Sequence, residues 1–115
     1  MKKDPRVLLA HILDSIQVIE RVMPKTQAEF TANSDAQDII IRRLEIIGEA
    51  AGHLPDTIKE QAPEVEWKRL LGLRNFLIHE YFNVDIELLW RNIQDYLPVL
   101  KQAITELLER SDSNN

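Results

Sequence analysis

The chain has 115 residues, of which 44% are hydrophobic and 29% are charged, and this length and composition are typical of one globular domain with a modest core. It contains no cysteine, which excludes a disulfide framework, a thiolate nucleophile and a cysteine-ligated zinc site. Its net charge of −5 disfavours non-specific nucleic-acid binding, because phosphate contacts dominate that affinity. No apolar run approaches the roughly 18 residues that suggest a membrane span, and we expect a soluble, cytoplasmic protein.

Helical spacing of apolar residues begins near the N-terminus. Asp4 and Pro5 predict a helix start, with an N-cap followed by proline at the first helical position, and Pro24 predicts its end. A second helix is predicted from about residue 36 to 53, with a cap offered by residues 33–35. Residues 56–62 predict one or two short helical turns.

The second half of the chain predicts two further helices. The third spans roughly residues 65–82, and Asp85 caps a fourth, which Pro98 kinks or restarts. Residues 1–110 are therefore predicted to form one helical domain, and residues 111–115 a disordered polar tail. The expected fold is all-α, an up-and-down bundle of four main helices with short helical turns.

The third predicted helix is unusual because its apolar residues cover more than one face. Such a helix is expected to be buried on most sides, either centrally in the bundle or at a subunit interface. Three neighbours in a small bundle do not easily cover a surface this wide, and large exposed apolar patches usually mark contacts. We therefore expect a symmetric homodimer built around this helix. The residues concerned are Leu70, Leu71, Leu73, Phe76, Leu77 and Ile78.

Four polar residues, Arg74, Asn75, His79 and Tyr81, interrupt this apolar surface. Asn75 and His79 are four residues apart and share a helix face, whereas Arg74 and His79 differ by about 140° on an ideal helix. One interpretation is that these side chains are paired core polar groups that hold two helices in register. The other is a functional site, because buried polar groups are costly unless paired and functional sites often concentrate them.

A family resemblance begins at these residues. The segment from Arg74 to His79 matches the HEPN signature, in which an arginine, followed by a polar residue, is separated from a histidine by four to six intervening residues. His79 and Tyr81 match the His-x-Tyr extension of one toxin subfamily, and residues 43–50 and 81–85 are also similar to it. Residues 5 to 108 are thus identified as a HEPN domain resembling the HepT-like ribonuclease toxins, which are paired with minimal nucleotidyltransferase antitoxins.

The resemblance implies a metal-independent endoribonuclease that serves as the toxin of a type II toxin–antitoxin system, with RNA as substrate and no cofactor. The chemistry agrees, because RNA supplies its own nucleophile, the 2′-OH, and needs a base and a group that stabilises phosphate charge. His79 suits the acid/base role, since imidazole titrates near neutral pH. Arg74 suits the phosphate as a permanent cation with a bidentate fork, and Asn75 suits a supporting role.

Tyr81 has a different implied role. In the resembling toxins this tyrosine accepts AMP from the antitoxin, which uses ATP and Mg2+. On an ideal continuous helix Tyr81 lies about 20° from Arg74, so an AMP group there is expected to neutralise the same guanidinium. Without the resemblance, we would interpret Tyr81 as a core tyrosine whose hydroxyl forms a hydrogen bond.

Glu45, Glu49 and His53 share one face of the second helix, at a spacing of four residues. These residues could form half of a metal site or a solvated charged face. Alternatively, one of the two carboxylates could reach Arg74 and orient it. Because the Glu-x-x-His pattern of carboxylate-bundle metal proteins is absent, we assign no metal. Gly48 and Gly52, also four apart, predict close helix packing.

Two alternatives to the enzyme remain open. One is a non-catalytic HEPN-like dimer that binds nucleotide or a nucleotidyltransferase partner. The other is a plain structural dimerisation bundle. The net negative charge favours these alternatives, whereas the intact set of Arg74, Asn75, His79 and Tyr81 favours the ribonuclease.

Overall fold

The computed structural model describes residues 4–113, except the side chains of Tyr81, Asp112 and Ser113. Within that part of the chain all regular structure is helical, which confirms the all-α prediction. The four long helices are α1 (Pro5–Val22), α3 (Ser34–Gly52), α5 (Trp67–His79) and α6 (Ile86–Ser113). Two short helices, α2 (Gln27–Thr31) and α4 (Asp56–Lys59), and a 3-10 turn (Tyr81–Asn83) connect them.

The predicted helix starts are confirmed by their caps. The Asp4 carboxylate accepts a hydrogen bond from the backbone N–H of Arg6 at 2.9 Å, and Pro5 follows as the first helical residue. Asp85 likewise accepts from the backbone N–H of Leu88 at 3.1 Å, at the start of α6. These side chains satisfy backbone donors that have no partner within the first helical turn.

The segment after Pro24 contains a helix that the sequence pattern did not predict. The Thr26 hydroxyl accepts from the backbone N–H of Glu29 at 3.1 Å and begins α2. Phe30 of this short helix is fully buried, and its ring centroid lies 5.5 Å from that of Trp90 on α6. One aromatic anchor thus fixes a five-residue helix that is too short to show an apolar period.

The C-terminal end of α5 differs from the prediction. The helix ends at His79, and Glu80 leaves the helical region with φ −120° and ψ 35°. Tyr81 begins the 3-10 turn, so it does not continue the α-helical phase of Arg74. The expectation that Tyr81 lies about 20° from Arg74 is therefore wrong, because that angle requires an unbroken helix. The side chain of Tyr81 itself lies outside the described part of the structure.

Helix α6 runs without a break from Ile86 to Ser113 and includes Pro98 in its interior. Of the two alternatives predicted for Pro98, the restart is therefore wrong, and the kink stays a prediction. Proline removes one backbone donor, but the flanking turns of this long helix continue on both sides. The helix passes residue 111, where the polar tail was expected to begin. Residues 114 and 115, the rest of that predicted tail, lie outside the described residues.

The main core lies where α1, α3 and α6 meet. It contains the fully buried side chains of Ile12, Ile16, Ile19, Ile40, Ile47 and Ile104, which recur at helical spacing on their helices. Helix α5 packs mainly against α3 and lies at the edge of this core. No helix within residues 4–113 is long and apolar enough to cross a membrane.

The position of α5 contradicts the expectation that it is buried on most sides of the bundle. Of its residues, only Leu77 is buried within the chain, whereas Leu71, Phe76 and Ile78 are 42–44% exposed. The reason is that α5 packs closely along α3 alone, so much of its remaining surface stays open. The remaining half of the prediction, that a second subunit covers these faces, stays a prediction.

Candidate active site

The candidate site lies where α3 crosses α5. A Cβ atom added at Gly48 would overlap the Cβ of Arg74 and lie 3.0 Å from both the Arg74 Cγ and the Leu70 carbonyl oxygen. The absence of a side chain at residue 48 therefore lets the two helices approach closely, as its sequence position predicted. The same addition at Gly52 would make an ordinary contact, 3.4 Å from the Leu71 Cδ1. The close crossing brings the stem of Arg74 directly onto α3.

The Arg74 guanidinium is held through both of its terminal nitrogens. Its Nη2 lies 2.5 Å from the Oε2 of Glu49 on α3, and its Nη1 donates to the Asn75 Oδ1 at 2.8 Å. Its Nε is buried and has no hydrogen-bond partner. The Arg74 side chain is 30% exposed, so the cation remains accessible from one side. Arg74 is thus a half-buried cation that is held by two polar side chains.

Glu49 links Arg74 to a third residue. Its Oε1 lies 3.2 Å from the Nε2 of His53, one helical turn further along α3. The hydrogen bond to His53, followed by the charge of Arg74, lowers the pKa of the Glu49 carboxyl below its usual value of 4.5. The carboxylate is therefore ionised throughout the neutral range, as an ion pair with Arg74 requires.

The other predicted carboxylate, Glu45, has a different partner. Its Oε2 lies 3.3 Å from the Nη1 of Arg42, within the same helix. Of the two acidic residues expected to reach Arg74, Glu49 therefore contacts it and Glu45 does not. No group of three or more histidine, cysteine, aspartate or glutamate residues among residues 4–113 is arranged to hold a metal ion. The assignment of no metal stays a prediction.

His79 lies apart from this cluster within a single chain. Arg74, Glu49 and His53 line an open groove of about 460 Å3 between α1, α3 and α5, to which Ile78 contributes but His79 does not. His79 is the last residue of α5 and is exposed. This separation follows from the angle of about 140° between the two positions on a helix. One chain therefore brings Arg74 and Asn75 together and leaves His79 on a different face.

A second polar cluster, which the sequence analysis missed, connects α5 to α6. The Arg69 guanidinium lies 4.1 Å from the centre of the Tyr96 ring and donates to the Tyr96 hydroxyl. Its Nη2 also lies 3.4 Å from the Oδ1 of Asn92. These residues are more than twenty positions apart in the sequence, so no local spacing could have indicated the contact. The cluster closes one side of an apolar cavity of about 110 Å3 between α3, α5 and α6.

Comparison with known proteins places the chain in one family. The sequence profile described as "Ribonuclease HepT-like" matches residues 12–107. The chain is 40% identical to "Gamma-glutamylcyclotransferase and putative RNase MJ0434" of Methanocaldococcus jannaschii, over 99% of the chain and 52% of that protein. It is 39% identical to "Putative RNase MJ1380" of the same organism, over 90% of the chain and 95% of that protein.

A third relative is "Probable ribonuclease HepT" of Thermococcus cleftensis, which is 35% identical over 93% of the chain and 98% of that protein. The chain thus spans about half of the first relative and nearly all of the other two. No solved structure matches it. Since the family profile covers most of the helical domain, including α3, α5 and most of α6, the chain belongs to the HepT-like ribonuclease family.

Proposed function

We propose that this protein is a metal-independent endoribonuclease, with Arg74 and His79 as its catalytic residues. The observation that carries the proposal is the half-buried Arg74 guanidinium, which is held by Glu49 and Asn75 and still exposed at one side. A cation fixed in this way suits a phosphodiester, because a preorganised donor needs little reorganisation when charge develops on the phosphate. Membership in the HepT-like ribonuclease family supports RNA as the substrate class.

In the proposed reaction, His79 accepts the proton of a ribose 2′-OH. The 2′ oxygen then bonds to the adjacent phosphorus, and the bond from phosphorus to the 5′ oxygen breaks. The protonated His79 returns a proton to that leaving oxygen, so the products are a 2′,3′-cyclic phosphate and a 5′-OH end. Arg74 stabilises the additional negative charge on the phosphoryl oxygens during this step.

The proposed active unit is a symmetric homodimer. Within one chain Arg74 and His79 face different directions, so a two-fold axis at α5 would let two copies of the set surround one cleft. The exposed Leu71, Phe76 and Ile78 on α5 support such a contact, because apolar side chains at this density usually meet a partner. Two guanidinium groups at one cleft would also concentrate positive charge locally, on chains whose net charge is −5.

The proposed biological role is that of a type II toxin, neutralised when a nucleotidyltransferase antitoxin transfers AMP to Tyr81. The phenolic oxygen would attack the α-phosphorus of ATP, displace pyrophosphate and lose its proton, with Mg2+ bound by the partner. The backbone position of Tyr81, two residues after His79 at the start of the 3-10 turn, supports an effect on the catalytic histidine. The added phosphodiester carries negative charge and would repel the substrate phosphate.

A second candidate is a non-catalytic dimer that binds nucleotide or a nucleotidyltransferase. The separation of Arg74 and His79 within one chain, together with the acidic net charge, favours this alternative. It keeps Arg74 as an anion-binding residue and assigns His79 no role in proton transfer. Loss of His79 would then leave nucleotide binding intact.

The experiment that tests the proposed function is expression of single variants in cells that lack the antitoxin. Arg74→Ala and His79→Ala should each abolish toxicity and leave the helical circular dichroism spectrum unchanged. Asn75→Ala should weaken toxicity less, and Arg74→Lys should not restore it fully, since an ammonium group lacks the bidentate fork. Toxicity that survives both alanine variants would rule out this site.

A further inference from the structure

The surroundings of Arg74 restrict how a phosphate can reach its guanidinium. An arginine offers two bidentate edges, one formed by Nε with a terminal nitrogen and one by the two terminal nitrogens. In Arg74 the Nε is buried without a hydrogen-bond partner, so the first edge is closed to any substrate. Only the edge formed by Nη1 and Nη2 remains, and each of these nitrogens has one N–H donor held, Nη1 by Asn75 and Nη2 by Glu49.

We propose that Glu49 is a positioning residue that fixes the direction of this open edge, and that His53 in turn restrains the Glu49 carboxylate. The inference rests on the proposed function of Arg74 as the phosphate-binding group. Each terminal nitrogen has two N–H donors, so one donor on each remains for a phosphoryl oxygen while the other is held. Glu49 thus acts through Arg74 and touches neither the substrate nor the reacting atoms.

Four contacts together distinguish this arrangement from an ordinary surface ion pair. The Arg74 stem lies against Gly48, where an added Cβ would overlap it, and this close contact fixes the base of the arginine side chain. Glu49 on α3 and Asn75 on α5 then each hold one of the two terminal nitrogens. The second oxygen of Glu49 lies 3.2 Å from the His53 Nε2, which limits the rotamers open to an otherwise exposed carboxylate. The direction of the guanidinium is therefore set by α3 as well as by its own helix.

The exposure of Glu49 makes the inference testable. Its side chain is 53% exposed, and exposed ion pairs contribute little to folding stability, so substitutions at this position should fold normally. A loss of activity would then report on the orientation of Arg74. A misplacement of about 1 Å at a catalytic group can lower a rate by about 100-fold.

The test compares Glu49→Ala, Glu49→Gln and His53→Ala with the control Glu45→Gln in the full chain, using a fluorescent single-stranded RNA as the probe. Glu45→Gln removes the same charge one turn earlier on α3, where the partner is Arg42 instead of Arg74. Glu49→Ala should lower kcat by about tenfold to 100-fold without raising KM, because the loss of a negative charge beside the guanidinium favours phosphate binding and offsets the poorer orientation of Arg74 in the ground state. Glu49→Gln, which keeps an oxygen acceptor, should recover most of kcat, and His53→Ala should lower kcat by a smaller factor.

A second measurement keeps this inference separate from the proposed function. Rotation of the Arg74 guanidinium, followed by 15N NMR, should be slow in the wild type and in Glu45→Gln and faster in Glu49→Ala. If His79→Ala cleaves RNA at the wild-type rate, the proposed function fails, whereas the NMR result still decides whether Glu49 positions Arg74. Wild-type kcat in Glu49→Ala, a raised KM with unchanged kcat, or unchanged guanidinium rotation would each overturn the positioning role.

Discussion

Substitution of Gly48 by alanine tests the helix crossing on which the site depends. The new methyl group would overlap the Arg74 Cβ and lie 3.0 Å from the Leu70 carbonyl oxygen, and neither atom is the end of a flexible side chain. Helix α5 must therefore shift away from α3. Overpacking of this kind costs about 1–3 kcal/mol. Alanine gains about 0.5–1 kcal/mol over glycine in a helix, so the net loss lies between about 0 and 2.5 kcal/mol, with a middle value of about 1.3 kcal/mol.

Thermal unfolding followed by circular dichroism measures this loss of stability as a change in Tm. At about 2.1 cal/mol/K of unfolding entropy per residue, a 115-residue chain loses about 4 °C of Tm for each kcal/mol. At the middle value of the net loss, Gly48→Ala should therefore lower Tm by about 5 °C. The matched control is Gly72→Ala on α5, where an added Cβ meets nothing within 4 Å, and it should raise Tm by about 2–4 °C.

The two glycine substitutions thus have opposite predicted signs. A Gly48→Ala protein as stable as the wild type would refute the close crossing of α3 and α5 and with it the account of how Arg74 is held. A Gly72→Ala protein that is destabilised, and only at concentrations where the protein is dimeric, would instead locate a second subunit against residue 72.

Three further predictions concern the interface, the modification and the carboxylate. Phe76→Glu, which places a charge in the middle of the exposed face of α5, should give a monomer by light scattering, and an unchanged dimer would exclude that face. Tyr81→Phe should remain toxic when the antitoxin is co-expressed and should gain no AMP by intact mass spectrometry. An AMP adduct on this variant would show that the acceptor is a different residue. The Glu49 pKa, followed by NMR, should lie below 4.5 in the wild type and rise towards 4.5 in His53→Ala, because the hydrogen bond with His53 is the largest cause of the lowered pKa. Since the folded pKa is lowered, the stabilising effect of Glu49 is present above pH 4.5 and is lost as the pH falls through the folded value.

The sequence predicted those parts of the fold that depend on local chemistry. The caps at Asp4 and Asp85 determine helix starts through hydrogen bonds to residues two or three positions away, so their effect is visible in a short segment. The long apolar periods likewise predicted the four main helices. Helix α2 was missed because its stability depends on burial of Phe30 against the distant α6.

The parts that the sequence did not predict depend on contacts between helices. Whether Glu45 or Glu49 reaches Arg74 cannot be decided from their positions on one face, because it depends on where α3 crosses α5. The end of α5 at His79 also has no strong local signal, since neither glycine nor proline follows it. The apolar residues of α5 indicated a covered surface, but they could not tell whether the cover is the same chain or a second one.

The most direct test of the central claim is cleavage of RNA by the purified protein in the presence of EDTA, with 2′-O-methyl RNA of the same sequence as the control substrate. The proposed mechanism uses the 2′-OH as nucleophile and His79 as its base. The wild type should therefore cleave RNA but not 2′-O-methyl RNA, and His79→Ala should cleave neither. Cleavage by His79→Ala at the wild-type rate, cleavage of the methylated substrate, or complete loss of wild-type activity in EDTA would contradict the account.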